Sequence, residues 1–221
     1  MAFGSTITDV TISFLHTAEV HVRTFTRLVE ELGPGTVSAH VVDESLLADA
    51  QLLGIADVGL RERLTLRLRE SAEGADVVVC TCSTISGLAE DLAAVIDMSL
   101  VRVDRPMAER AVVLGSLIAV VAALDSTLDP TIALLEESAA ARGHSVSISS
   151  VVSEGAWDLF CSGDLDGYAS AVATTIDAID HRADVVVLAQ ASMAPAALLA
   201  RSSTPVLSSP RLAVEAALEL A

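Results

Sequence analysis

Ala75-Asp76-Val77-Val78-Val79 recurs letter for letter as Ala183-Asp184-Val185-Val186-Val187, 108 residues further along the chain. Each run is short, β-branched and uncharged after its aspartate, as expected of a strand buried on both faces of a parallel sheet. The surroundings repeat as well. Val10 to Leu32 pairs with Ile118 to Ala139, setting Leu28-Val29-Glu30-Glu31 against Leu134-Leu135-Glu136-Glu137, and Val101 to Pro106 pairs with Val206 to Pro210. Such agreement in order and offset marks two copies of one βα lobe.

Working outward, β-branched runs alternate with longer helical patterns along the whole chain. Strands are predicted at Val10 to Leu15, Ala39 to Val42, Asp76 to Thr81, Leu100 to Val103, Leu117 to Ala123, Val146 to Val151, Asp184 to Ala189 and Pro205 to Leu207. Helices are predicted near 19–32, 45–73, 86–97, 107–113, 130–142, 167–181, 194–200 and 210–220. The fold class is therefore α/β: two similar parallel-sheet βα lobes related by pseudo-twofold symmetry, with a cleft between them. The first lobe spans 1–106, with the C-terminal helix 210–221 packing back on it, and the second spans 107–209. Ligands of open α/β sheets bind beyond the carboxyl ends of the strands, which places the site in that cleft.

Composition narrows the chemistry. With 221 residues, 52% of them hydrophobic, the chain can bury a real core, and 30 acids against 13 bases argue against a nucleic-acid partner. All 13 bases are arginine, and without lysine neither a Schiff-base enzyme nor a Walker phosphate loop can be built. Met1 to Thr8 lacks the pattern of a secretory leader and the cysteines are three, Cys80, Cys82 and Cys161, which predicts a reduced, cytoplasmic setting. The apolar stretch Leu114 to Leu124 falls short of the ~20 residues of a membrane span, so no membrane partner is expected. No G-x-G-x-x-G, G-x-S-x-G or H-E-x-x-H occurs, and no cofactor is expected. Cys80 and Cys82 lack further zinc ligands nearby, so no metal site is assigned, and Cys80 reads as a packing thiol inside its strand. Gly163 to Gly167 lacks most of a calcium loop, leaving Asp166 as a helix cap, and Cys161 beside Trp157 and Phe160 reads as apolar filler.

The repeat register aligns Cys82 with Gln190, Ser83 with Ala191 and Thr84 with Ser192. Each trio follows a buried strand and precedes a helix, where free backbone N–H groups favour an anion. A thiol in that place is expected to be partly exposed with a lowered pKa, and the hydroxyls of Ser83, Thr84 and Ser192 could hold a carboxylate without lysine.

The run Asp76 to Thr84, followed by Ala183 to Gln190 and the closing Thr204-Pro205-Val206, resembles the aspartate/glutamate racemase superfamily over nearly the whole chain. That group includes the glutamate, aspartate and hydantoin racemases, maleate isomerase and arylmalonate decarboxylase. The resemblance implies cofactor-independent chemistry at the carbon next to a carboxylate, with Cys82 as the thiol that moves a proton. Racemases of this group carry a cysteine at both equivalent turns, whereas the second turn here has Gln190, which cannot transfer a proton at neutral pH. Arylmalonate decarboxylase also keeps one thiol, although at the second turn rather than the first. His16 and Thr17 occupy the place of the racemases' substrate-contacting acid and serine, and Ser126 and Thr127 resemble the threonine-bearing substrate loop of the second lobe. His16 is either a second acid/base group or a strand-end histidine bonded to its neighbours; Ser126 and Thr127 read equally as a helix cap ahead of Asp129-Pro130. His21 and Arg23 are expected to be solvated, and Arg105 reads equally as a contact to a substrate carboxylate or as a surface ion pair with Asp104 or Glu109.

The leading expectation is a one-thiol racemase, isomerase or decarboxylase acting on a small carboxylate. In it Gln190, Ala191 and Ser192 line the substrate site opposite Cys82, Ser83 and Thr84. The competing expectations are a non-catalytic acid-binding or sensor protein and a covalent thiol enzyme. A homodimer is a reasonable assembly for paired lobes.

Overall fold

A computed structural model describes residues 10–179 and 181–221; the leader reading of Met1 to Thr8 and the start of the first lobe lie outside the described residues. The first half runs β1 Thr11–His16, α1 Val20–Leu32, β2 Val37–Val42, α2 Ser45–Leu53, α3 Val58–Ala72, β3 Val77–Cys80, α4 Ser83–Val95 and β4 Leu100–Arg102. The second runs α5 Arg105–Leu114, β5 Leu117–Ala122, α6 Leu128–Ala141, β6 Ser147–Val152, α7 Ala156–Ser162, α8 Leu165–Ala178, β7 Val185–Leu188, α9 Ala196–Leu199, β8 Val206–Leu207 and α10 Ser209–Leu220. These strands form two four-stranded parallel sheets of identical order, β2-β1-β3-β4 and β6-β5-β7-β8.

Alternation along the central strands sends successive side chains to opposite faces, and helices cover both. Leu15, Val78 and Cys80 pack with Leu46, Leu64 and Ile85 of α2, α3 and α4, while Ile12, Phe14, Val77 and Val79 pack with Phe25 of α1 and Ala213 and Val214 of α10. In the second sheet Val120 and Val187 meet Met107 and Leu134 from α5 and α6, and Val121 and Val186 meet Tyr168 and Val172 from α8. Each such fully buried aliphatic contributes about 1.5–3 kcal/mol of transfer free energy, which is why the valine runs can only be central strands.

The repeated aspartate has its own task at the other end of these strands. Asp76 Oδ2 accepts from the backbone N–H of Thr11 at 2.8 Å, and Asp184 Oδ2 accepts from Ser116 and Leu117 at 2.9 and 2.8 Å. Both carboxylates pin the start of the neighbouring central strand. A Cβ on Gly115 would collide with the Asp184 side chain, so this close approach requires glycine.

Several element boundaries differ from the sequence expectation. The helix predicted over 45–73 is two helices, because Gly54 takes a left-handed φ of 82° and Asp57 caps a new start by accepting from Leu60 N at 2.8 Å. The apolar spacing continues across this break and conceals it. Helix α4 begins at Ser83 rather than 86, so Cys82 is its N-cap. Asp164, not Asp166, caps α8, accepting from Gly167 N at 2.9 Å. Among the described residues no helix is long and apolar enough to cross a membrane.

Candidate active site

In each sheet the chain moves outward from the first strand to one side and then, from the third element onward, to the other. The order reverses between β1 and β3 and between β5 and β7, and a crevice opens at such a switch point. A cavity of 360 Å³ lies there, walled by Thr17 after β1, Cys82 to Thr84 after β3, Thr127 after β5 and Gln190 to Ser192 after β7. A larger concavity of 710 Å³ lies at the amino ends of β3 and β4, between Asp76 and Ser99, and carries neither cysteine nor histidine. The carboxyl-end cavity brings together Cys82 and the hydroxyls of Thr17, Ser83, Thr84, Thr127 and Ser192.

Cys82 sits in the floor of this cavity, 8% exposed. Burial pushes its thiol above the ordinary 9.0, although the hydroxyl of Thr17 and the amides of Ile85 and Thr84 lie against the sulfur and pull the other way. This corrects the expectation of a partly exposed thiol with a lowered pKa. The helix start supplies dipoles, but among the described residues no arginine lines the cavity to help outweigh desolvation. Ser83 is 4% exposed, and its Oγ is buried without a hydrogen-bond partner among the described residues. Thr84 Oγ1 reaches Ser126 Oγ at 3.5 Å and so touches the second lobe.

Across the cavity, Gln190 Oε1 accepts from the backbone N–H of Ala123 at 2.6 Å, which fixes the amide at the end of β7. Ser192 Oγ pairs with the Tyr168 hydroxyl at 2.8 Å, and burial pushes that phenol up to about 12. Thr127 Oγ1 donates to Leu124 O at 2.7 Å, and neither Ser126 nor Thr127 makes a side-chain cap to α6. Thr17, Ser83, Thr84, Thr127, Gln190, Ala191 and Ser192 thus converge with Cys82, whereas Ser126 stands behind Thr84, outside the cavity lining.

His16 does not join them, which corrects its placement among the substrate contacts. It is fully buried, and both ring nitrogens are engaged. Thr81 Oγ1 donates to Leu15 O at 3.0 Å, so it accepts from His16 Nδ1 at 2.9 Å. His16 Nε2 then accepts from His40 Nδ1 at 2.9 Å, and His40 Nε2 accepts from Thr26 Oγ1 at 2.9 Å. Burial, with help from the neighbouring His21 and His40, takes His16 down to about 3. It is a structural histidine in a one-way chain of hydrogen bonds.

Other residues line the cavity without a motif that announces them. His21, expected in solvent, lines the cavity one turn before Phe25 on the buried stripe of α1, and burial takes it down to about 4. Its four-residue spacing from Phe25 and Val29 was the available signal. Trp157, Phe160 and Cys161 occupy one face of α7, at three- and four-residue spacing, and line the wall contributed by the second lobe. Cys161 is exposed rather than filler, and α7 follows the carboxyl end of β6, the position where lining residues belong. Glu44 and Leu47 complete the opposite wall. Arg105 pairs with Glu90 at 2.5 Å and Glu137 at 3.1 Å, not with Asp104 or Glu109. Asp104 is instead buried against Arg102 at 2.7 Å, and Arg102 donates to Pro130 O of α6 at 3.2 Å. Arg23 is exposed as expected.

Comparison with known proteins bears on the whole arrangement. A search of curated protein sequences gives no significant match. Among solved structures, a glutamate racemase isoform from Bacillus anthracis superposes with a TM-score of 0.70 at 13% identity, covering 96% of this chain and 81% of that one. An aspartate racemase homologue from Pyrococcus horikoshii OT3 gives 0.68 at 12% identity, covering 95% and 98%. Allantoin racemase from Pseudomonas fluorescens gives 0.63 at 18% identity, covering 96% and 90%. These likenesses establish the two-lobed fold. The family profile described as Asp/Glu/Hydantoin racemase matches residues 16–217, so the chain belongs to the Asp/Glu/hydantoin racemase family.

Proposed function

We propose that the protein moves a proton at the carbon next to the carboxylate of a small acid, with Cys82 as the only thiol at a strand-end turn. The observation that carries this reading is the position of Cys82: at the switch point of the first sheet, capping α4, in the floor of the cavity and facing the Gln190 turn of the second lobe. The substrate carboxylate would lie against the first-turn amides of α4 and the unpartnered Ser83 hydroxyl, with Thr17, Gln190 and Ser192 as further neutral partners.

Because burial keeps the thiol protonated at neutral pH, Cys82 suits the role of acid. For exchange or isomerisation the ionised fraction of Cys82 first takes the α-proton, which then exchanges with solvent; for decarboxylation a second carboxylate on the same carbon leaves as carbon dioxide, and either event leaves an electron pair on the α-carbon, delocalised into the remaining carboxylate. Cys82 S–H delivers its proton to that carbon, and the resulting thiolate regains one from water. Gln190 supplies no proton to the opposite face, so delivery is one-sided, as in decarboxylation or isomerisation. Should inversion occur, Cys161 on the opposite wall is the group to supply the second proton, in place of His16.

The test is incubation in D2O with a panel of small mono- and dicarboxylic acids, following α-proton loss by NMR together with carbon dioxide release. Exchange or decarboxylation that yields a single deuterated enantiomer supports the reading. A second reading, acid binding without turnover, is favoured by the tied Gln190 amide alone; it predicts occupancy with neither exchange nor gas release. Assembly as a homodimer belongs to the same proposal and is read by sedimentation.

A further inference from the structure

The cavity that holds Cys82 is divided between two kinds of surface. Around the thiol stand neutral hydrogen-bonding groups, enough for one carboxylate: Thr17, Ser83, Thr84, Gln190 and Ser192. The same lining includes Leu47, Leu124 and the stacked pair Trp157 and Phe160, whose ring centroids are 4.9 Å apart at an interplanar angle of 18°. None of the thirteen arginines lines this cavity, and the chain has no lysine. The charged group that does line it is the carboxylate of Glu44, while His21 stays neutral at pH 7. Arg27 and Arg211 line a neighbouring groove of 530 Å³ that shares His21, Phe160, Ala191 and Ser192 with this cavity, and Arg211 is held there by Glu31 at 2.5 Å.

We propose that this cleft selects acids whose α-substituent is apolar, aromatic or branched aliphatic, and rejects short acids that carry a second carboxylate there. The inference rests on the reading of the cavity as the substrate site. A second carboxylate directed away from Cys82 would meet aromatic faces and Glu44, losing its water without gaining a cation or donor. An isobutyl or benzyl group in the same place buries apolar surface against Trp157 and Phe160. The volume of 360 Å³ equals roughly a dozen waters at ~30 Å³ each, which is room for one carboxylate and one such substituent.

The chain's only tryptophan lines this cavity, so its emission reports occupancy without depending on chemistry at Cys82. The experiment titrates the native protein and Cys82→Ala with two isosteric pairs, leucine against aspartate and 4-methylpentanoate against succinate, and with 3-phenylpropionate, while α-proton exchange in D2O is followed separately. The apolar member of each pair should bind at least about 100-fold more tightly. Phe160→Ala should weaken the apolar members about tenfold or more and leave the diacids unchanged, and Leu47→Arg should shift the preference toward aspartate and succinate. Diacids binding as well as their apolar isosteres, or no acid altering Trp157 emission, would overturn the proposal. Apolar preference without exchange by any acid would sink the proton-transfer reading and leave the selectivity intact; exchange confined to the diacids would do the reverse.

Discussion

Acidification from pH 7.5 to 5.0 should remove about 4 kcal/mol of stability through two histidines. In an unfolded chain a histidine titrates near 6.5, whereas burial holds His16 at about 3 and His21 at about 4 in the folded protein. The folded state therefore keeps both rings neutral while the unfolded state takes up protons. Their contribution is complete above pH 6.5 and is lost as pH falls through the unfolded value towards the folded one. At pH 5.0, each ring has cost about 2 kcal/mol, since one pH unit per group is worth about 1.4. His40, shifted in the same direction by burial, steepens the slope. Against a typical total of about 5–15 kcal/mol this is a large fraction, and the window lies above the range where free carboxylates titrate. Urea unfolding at closely spaced pH values between 7.5 and 5.0 measures it. The slope should approach uptake of two or more protons, and His16→Gln should lower it by one. A flat profile, or a slope unchanged in the variant, would refute the placement of His16 in a dry hydrogen-bonded chain.

Other consequences follow from the same geometry. Alkylation of Cys82 in the free protein should be slow at pH 7 and rise about tenfold per pH unit through pH 9, with exposed Cys161 reacting first; peptide mass spectrometry separates the two, and a plateau for Cys82 below pH 8 would contradict the burial argument. Asp104→Ala leaves the buried Arg102 with only its long 4.0 Å contact to Glu90 and the Pro130 carbonyl, and should cost about 3 kcal/mol in denaturant unfolding, while replacing Arg105 on the partly exposed Glu90 pair should cost under about 1 kcal/mol. Gln190→Cys restores a thiol at the second turn and should convert one-sided deuterium delivery into racemised product, as chiral chromatography would show.

The two parallel lobes were legible because burial on both faces forces valine runs, and because Asp76 and Asp184 each perform the same strand-pinning bond, which preserves their repeat. The residues at the strand ends, Cys82, Ser83, Thr84, Gln190 and Ser192, were legible for the same reason: strand order alone places them at the crevice. What escaped was whatever depends on the second wall of the cleft. Trp157, Phe160 and Cys161 reach the cavity only because α7 turns back over the end of β6, and no periodicity within seven residues announces that. His16 was misplaced because a strand-end position fixes its depth in the sheet but not which way its ring turns. His40, from the adjacent strand, captures it away from the cleft. The raised Cys82 pKa was hidden because the pattern announces the helix start, whose amides lower a thiol, but not the burial that outweighs them.

On this mechanism Cys82 itself delivers the proton. The direct measurement is the rate of α-deuterium incorporation by native protein and Cys82→Ala at equal occupancy, with occupancy set by Trp157 emission. The account predicts a fall of at least about 100-fold in the variant with binding unchanged. Incorporation at the native rate by Cys82→Ala would contradict it.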